Sequence, residues 1–99
     1  MSAATSSPGT IALPPRLEIR DVEEAHRRLV EALNVHGPLR IDVGPLVAID
    51  SAGVQLLLAV CREGERRGLK VELCGASGAL ERASGLLGLA QALRPVGAA

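Results

Sequence analysis

The sequence contains no Phe, Tyr or Trp among its 99 residues. Proteins that read single-stranded nucleic acid stack the bases on aromatic side chains, so this absence argues against that class of protein. Lys and Arg number 11 together, and so do Asp and Glu, which leaves no net charge. A neutral chain lacks the basic surface that DNA or an anionic membrane attracts. We therefore expect neither nucleic-acid binding nor direct membrane insertion.

Cysteine is also scarce, and long apolar runs are missing. Cys61 and Cys74 form no CxxC pattern, which argues against a disulfide framework or a zinc site. No apolar run reaches the roughly 20 residues that a membrane-spanning helix needs. Residues 1–9 lack the basic start and apolar centre of a signal peptide. We expect a cytoplasmic protein without a metal or another cofactor.

Length and hydropathy suit one small domain with an aliphatic core, because 47% of the residues are hydrophobic. We expect a disordered tail over residues 1–9, a single domain over 10–94 and a second tail over 95–99. Short strands are predicted from runs of apolar or alternating residues. They cover residues 10–13, 16–19, 39–43 and 69–74.

Helical spacing of apolar residues predicts three helices between and after these strands. The first opens at Asp21, with Glu24 three residues later as an acidic capping box. The second covers residues 54–67, and Gly68 fits the C′ position behind it. The third follows Ser77 as its N-cap. This order predicts an α/β fold, a small mixed β-sheet of about four strands packed with three to four helices.

The tetrapeptide Asp50-Ser51-Ala52-Gly53 stands between an apolar loop, residues 47–49, and the second helix. This placement puts Ser51 at the N-cap, where a hydroxyl accepts a bond from an unpaired backbone N–H. A helix N-terminus also favours phosphate. Ser51 is therefore either an ordinary cap or a site of phosphorylation, and the residues alone leave both readings open.

Enzymatic readings of the same residues find less support. Asp-Ser-Ala-Gly differs from the Gly-x-Ser-x-Gly elbow of hydrolases, and nothing in the sequence ties His26 or His36 to Ser51. Residues 75–78, Gly-Ala-Ser-Gly, lack the Lys of a phosphate-binding P-loop. We expect a binding protein without catalytic activity.

An ordered set of motifs resembles the STAS domain, the fold of bacterial anti-sigma factor antagonists. The motifs are Ile-Asp-Val at 41–43, Ile-Asp-Ser-Ala-Gly-Val at 49–54, the apolar helix, Arg-Gly-Leu-Lys-Val at 67–71 and Leu-Leu-Gly-Leu at 86–89. The resemblance spans residues 10–93. One departure is Gly44-Pro45-Leu46, which replaces the usual small polar residue and glycine after Asp42.

The resemblance implies a regulatory role in signal transduction and transcription, centred on Ser51. A serine kinase that doubles as an anti-sigma factor would phosphorylate Ser51, the unmodified domain would bind that partner, and a phosphatase would reverse the switch. The expected partner surface combines the loop with the following helix and comprises Asp50, Ser51, Ala52, Gly53, Val54, Leu56 and Val60. Asp42 and Gly68 match structural positions of the motif.

Two other binding roles stay open beside this one. Small STAS subunits sit on the ATPase of lipid-transport ABC complexes without phosphorylation. The run from Asp50 to Leu58 also resembles STAS proteins found with chemotaxis components, which implies an adaptor role.

Overall fold

The computed structural model describes residues 9–93. Within that range the chain forms five strands and three helices in an alternating order, which confirms the predicted α/β class. The strands are β1 (Thr10–Ala12), β2 (Arg16–Leu17), β3 (Leu39–Asp42), β4 (Ala48–Ile49) and β5 (Val71–Cys74). The helices are α1 (Val22–His36), α2 (Ser51–Arg66) and α3 (Gly78–Leu86). Of the tails predicted over residues 1–9 and 95–99, residues 1–8 and 95–99 lie outside the described residues.

Three strands form a parallel sheet in the order β1-β3-β5. Ile11 of β1 pairs with Ile41 of β3, which pairs in turn with Leu73 of β5. Ile41 and Leu73 are buried, whereas the alternating residues Arg40 and Glu72 lie on the other face and form an ion pair at 3.4 Å. The period of two therefore gives the sheet one apolar face for the helices and one polar face.

The other two strands form a separate parallel pair, β2 with β4. Two prolines end β1, and the carbonyl of Pro15 accepts bonds from Val47 N at 2.8 Å and Ala48 N at 3.1 Å. The second predicted strand, residues 16–19, is shorter than expected, because only Arg16 and Leu17 pair with another strand. Residues 48–49, which were predicted as a loop, form the strand with which they pair. We predicted one sheet of about four strands, whereas the described residues form five strands in two separate sheets. Strand β4 is followed by Asp50 and then by α2.

Helix α1 buries Ala25, Leu29 and Leu33 at the predicted helical spacing. The predicted capping box at its start is wrong. The Asp21 carboxylate accepts the N–H of Glu18 at 3.0 Å and makes no bond to the first turn. Glu24 pairs with Arg27 at 2.6 Å, so its carboxylate points along the exposed side of the helix. Local side-chain bonds have replaced the reciprocal cap.

The ends of α2 and α3 agree with the sequence at two points. Gly68 has φ +72°, and bonds from Gly68 N to Glu65 O and from Leu69 N to Gly64 O form a Schellman motif, as predicted for C′. Ser77 is the N-cap of α3, and its Oγ accepts the N–H of Leu80 at 3.2 Å. After α3, the side chain of Leu93 returns to the core.

Candidate functional site

The N-terminus of α2 is capped by Asp50. Its backbone is extended, and Oδ1 accepts the N–H of Gly53 at 3.1 Å. Ser51 is the first residue inside the helix, so the prediction that Ser51 is the N-cap is wrong. The physical reason is that a carboxylate one position earlier also caps well and reaches the N3 amide. The Ser51 hydroxyl is thereby released from the capping role.

The same carboxylate also joins α2 to the segment that follows β2. Oδ2 of Asp50 accepts the backbone N–H of Ile19 at 2.9 Å. The bond from Gly53 N–H, helped by the bond from Ile19, holds the pKa of Asp50 below its ordinary value, against partial burial, which raises it. The ionised Asp50 carboxylate therefore links the turn that follows β2 to the first turn of α2.

Ser51 is exposed to solvent. Within residues 9–93 its hydroxyl has no hydrogen-bond partner, and the first turn of α2 contains no acidic side chain. The unpaired N–H groups of that turn carry partial positive charge. A hydroxyl at this position is accessible to a modifying enzyme, and a phosphate attached to it would lie next to the helix end that favours anions.

Gly53 and Val54 lie beneath the surface of the site and pack against neighbouring segments. A Cβ on Gly53 would collide with the carbonyl oxygen of Leu17 and lie 2.7 Å from Cγ1 of Ile49. Val54 is fully buried, and Ala52 is half-buried. Of the five loop residues expected to contact a partner, Gly53 and Val54 therefore offer no side-chain surface.

The expectation that Leu56 and Val60 are exposed contact residues is wrong. They are 7% and 1% exposed, because α1, α3, β4 and β5 all contact α2 and the core takes most of its circumference. The exposed stripe of α2 instead carries small or polar side chains. It comprises Ser51, Gln55, Ala59 and Arg62. Their spacing of four, four and three residues is typical of one helix face, and this spacing is the sequence pattern that indicates the stripe.

Asp42 organises the loop at the end of β3. Its Oδ1 accepts the N–H of Gly44 at 2.9 Å, and its backbone carbonyl accepts the N–H of Leu13 at 3.0 Å. A Cβ on Gly75 would lie 2.6 Å from the same Oδ1, so the backbone immediately after β5 approaches this carboxylate closely. These contacts tie together the ends of three strands.

Two large apolar side chains are unusually exposed on the segments around the β2–β4 pair. Ile19 follows β2 and is 68% exposed, and Val47 precedes β4 and is 66% exposed. The backbone N–H of Ile19 is bonded to the Asp50 carboxylate, which connects this residue to the site. Sequence reasoning missed Ile19, since alternation alone placed it at the end of a strand.

Further features of residues 9–93 bear on a metal site, a reactive thiol or a membrane segment. In the described part of the chain, no group of three or more His, Cys, Asp or Glu side chains is arranged to hold a metal ion. Burial raises the pKa of the Cys61 thiol, and Glu65 adds to this effect. Across residues 9–93, none of the helices combines the length and hydropathy needed to cross a membrane.

A protein-family model described as "Mlab, STAS domain" matches residues 1–95. The chain belongs to the STAS domain family. The described fold agrees with this assignment, because α2 begins at the Asp-Ser-Ala-Gly turn and ends at Arg66, two residues before the glycine that precedes β5. No curated protein sequence matches the chain.

Two solved structures have the same fold as this STAS domain. A sulfate transporter family protein from Wolinella succinogenes superimposes with a TM-score of 0.65 at 22% identity, covering 85% of this chain and 69% of that chain. The Bacillus cell fate determinant SpoIIAA, solved in its phosphorylated form, gives a TM-score of 0.62 at 23% identity, covering 91% of this chain and 85% of that chain. At these identities the likeness concerns the fold alone.

Proposed function

We propose that this STAS domain is a non-enzymatic regulatory module of the anti-sigma factor antagonist type. It binds a protein partner through the surface around Ser51, and phosphorylation of Ser51 by a partner serine kinase ends that binding. The observation that carries the proposal is the exposed Ser51 hydroxyl, which the Asp50 cap leaves without a structural task.

The partner surface in this proposal differs from the one that the sequence suggested. It combines the Asp50–Ser51 turn with the exposed α2 stripe, which continues through Gln55 and Ala59. The small side chain of Ala59 leaves room for a partner to approach the helix closely. Leu56 and Val60 support this surface from within the core and do not touch the partner.

The chemistry of the switch is a phosphoryl transfer. The Ser51 Oγ attacks the γ-phosphorus of ATP, ADP leaves, and the hydroxyl proton passes to a base on the kinase. The product carries roughly −1.5 to −2 charges at Ser51. The helix N-terminus tolerates this charge in water, but a docked partner would have to remove water from a phosphate next to the Asp50 carboxylate. Binding is therefore lost at the interface, and the fold is kept.

The match to the family model described as "Mlab, STAS domain" supports a second candidate. In that role the domain is a subunit that docks on the ATPase of a lipid-transport ABC complex, with Ser51 unmodified throughout. The same exposed stripe would serve, because docking needs only an accessible helix face.

Intact-mass measurement separates the two candidates. The purified domain is incubated with ATP and with each serine kinase of the same genome in turn. The switch predicts a gain of about 80 Da, one phosphoryl group, that disappears in Ser51→Ala. Ser77→Ala is the matched control, because Ser77 also lies at a helix N-terminus but its hydroxyl is occupied as a cap.

The control variant should gain the phosphoryl group as the wild type does, once circular dichroism has confirmed that it is folded. A mass gain that persists in Ser51→Ala would reject Ser51 as the acceptor. No gain with any kinase, together with a stable complex between the domain and a purified lipid-transport ATPase, would replace the switch with the subunit role.

A further inference from the structure

Ile19 occupies an unusual position for a large apolar residue. It lies in the turn that spans Glu18–Asp21, between β2 and α1, and it is 68% exposed. Turns of this kind are normally built from Gly, Pro, Asn, Asp or Ser. An exposed isoleucine there contributes nothing to the core of the domain, so its apolar surface is available to another molecule.

The turn that presents Ile19 is held at both ends. Glu18 N donates to Oδ2 of Asp21 at 3.0 Å, and Asp21 N donates to the carbonyl oxygen of Glu18 at 2.7 Å. A loop that is already ordered loses little conformational freedom when a partner binds. The backbone that carries the exposed side chain is therefore held in a fixed place.

A third bond connects this turn to the candidate site. Ile19 N donates to Oδ2 of Asp50 at 2.9 Å, while Oδ1 of the same carboxylate caps α2. Asp50 immediately precedes Ser51 in the chain. One side chain thus bonds both the turn that carries Ile19 and the helix end that carries Ser51, so the two exposed residues lie on backbone segments joined by the same carboxylate.

We propose that Ile19 is a specificity-determining contact for the serine kinase that modifies Ser51, and that Asp50 is the positioning residue that holds Ile19 in place. This inference rests on the proposed function. The kinase would bury Ile19 in an apolar pocket beside its phosphoryl-transfer site. Recognition would then require an apolar group and a hydroxyl at a fixed separation, which an isolated Ser-containing peptide cannot offer.

The test uses steady-state kinetics with the kinase that phosphorylates the wild-type domain. Ile19→Ser should raise the KM for the domain about tenfold and leave kcat within about twofold, because the contact is equally present in the ground and transition states. Val35→Ser is the matched control. Val35 is 69% exposed but lies near the end of α1, outside the proposed surface, so its KM should equal that of the wild type.

The role of Asp50 is tested by Asp50→Asn. The amide oxygen can still accept the Gly53 N–H, but the amide nitrogen cannot accept the N–H of Ile19, so the turn loses its bond to the start of α2 while the helix keeps its cap. If Asp50 acts through Ile19, the double variant with Ile19→Ser has the KM of Ile19→Ser alone. Effects that multiply would show that Asp50 acts independently of Ile19.

The outcomes distinguish this inference from the function on which it rests. Phosphorylation of Ser51 with equal KM values for Ile19→Ser and Val35→Ser would overturn the role of Ile19 and leave the switch intact. Multiplying effects in the double variant would overturn the positioning role of Asp50. A wild-type domain that no serine kinase phosphorylates would remove the switch and this inference together.

Discussion

Asp50 caps α2 by accepting the N–H of Gly53 at 3.1 Å, although Ser51, its neighbour, is also a residue type that caps helices. This relationship separates two tasks that the sequence had assigned to one residue. Asp50 stabilises the helix end, and Ser51 is left exposed at the surface. The proposed phosphorylation switch depends on this division.

Two alanine variants test the division directly. Ser51→Ala should change the free energy of unfolding by less than about 0.5 kcal/mol, because its hydroxyl is exposed and makes no bond within residues 9–93. Asp50→Ala should lower the Tm by about 5 °C, because it removes the cap and the anchor of the Ile19 turn. Thermal unfolding followed by circular dichroism measures both. The division is wrong if Ser51→Ala is the more damaging change.

The contribution of Asp50 to stability should depend on pH. Its pKa in the folded protein lies below the ordinary value of 3.8, so the carboxylate stabilises the fold above that value and loses its effect as the pH falls through the lower folded pKa. The Tm difference between the wild type and Asp50→Asn should be constant from about pH 7 to pH 5 and shrink below about pH 4. The subtraction removes the effects of the other carboxylates whose pKa is lowered. A difference that grows towards low pH would contradict the assignment.

Gly53 should not tolerate a side chain. A Cβ there meets the carbonyl of Leu17 and lies 2.7 Å from the Ile49 side chain, so Gly53→Val should prevent cooperative folding and Gly53→Ala should lower the Tm sharply. Gly85→Ala is the control in α3, because a Cβ at that position meets no atom within 4 Å. It should keep the Tm or raise it, since alanine favours helices. A Gly53→Ala variant as stable as Gly85→Ala would show that the α2–β2 contact is looser than described.

Much of this fold could be predicted from local patterns. Apolar spacing located the three helices, and the C′ role of Gly68 and the cap at Ser77 were confirmed because each depends only on the residues around one helix end. The family resemblance was confirmed by the family match. The pairing of β2 with β4 was not predictable in this way, because two-residue strands carry almost no periodic signal and their pairing joins distant parts of the chain.

The details of the site were harder to predict for the same physical reason. Asp21 and Glu24 have the spacing of a capping box, but each found another partner nearby. Leu56 and Val60 were expected at a partner surface, but the packing of α2 against several elements buried both. The bond between Asp50 and Ile19 links residues 31 positions apart, and no sequence pattern predicts it. Competition among nearby groups and long-range packing decided these points.

The most direct test of the proposed switch compares the affinity of the partner kinase for the unmodified domain and for the domain phosphorylated on Ser51. Isothermal titration calorimetry is run on both forms without ATP, and the Tm of each form is measured in parallel. We predict that phosphorylation raises the Kd at least about tenfold while the Tm stays nearly unchanged, because the phosphate opposes desolvation at the interface and not folding. Ser51→Asp should weaken binding in the same direction, without loss of stability. Equal affinity of the two forms, or a loss of binding that only accompanies unfolding, would contradict the proposed switch.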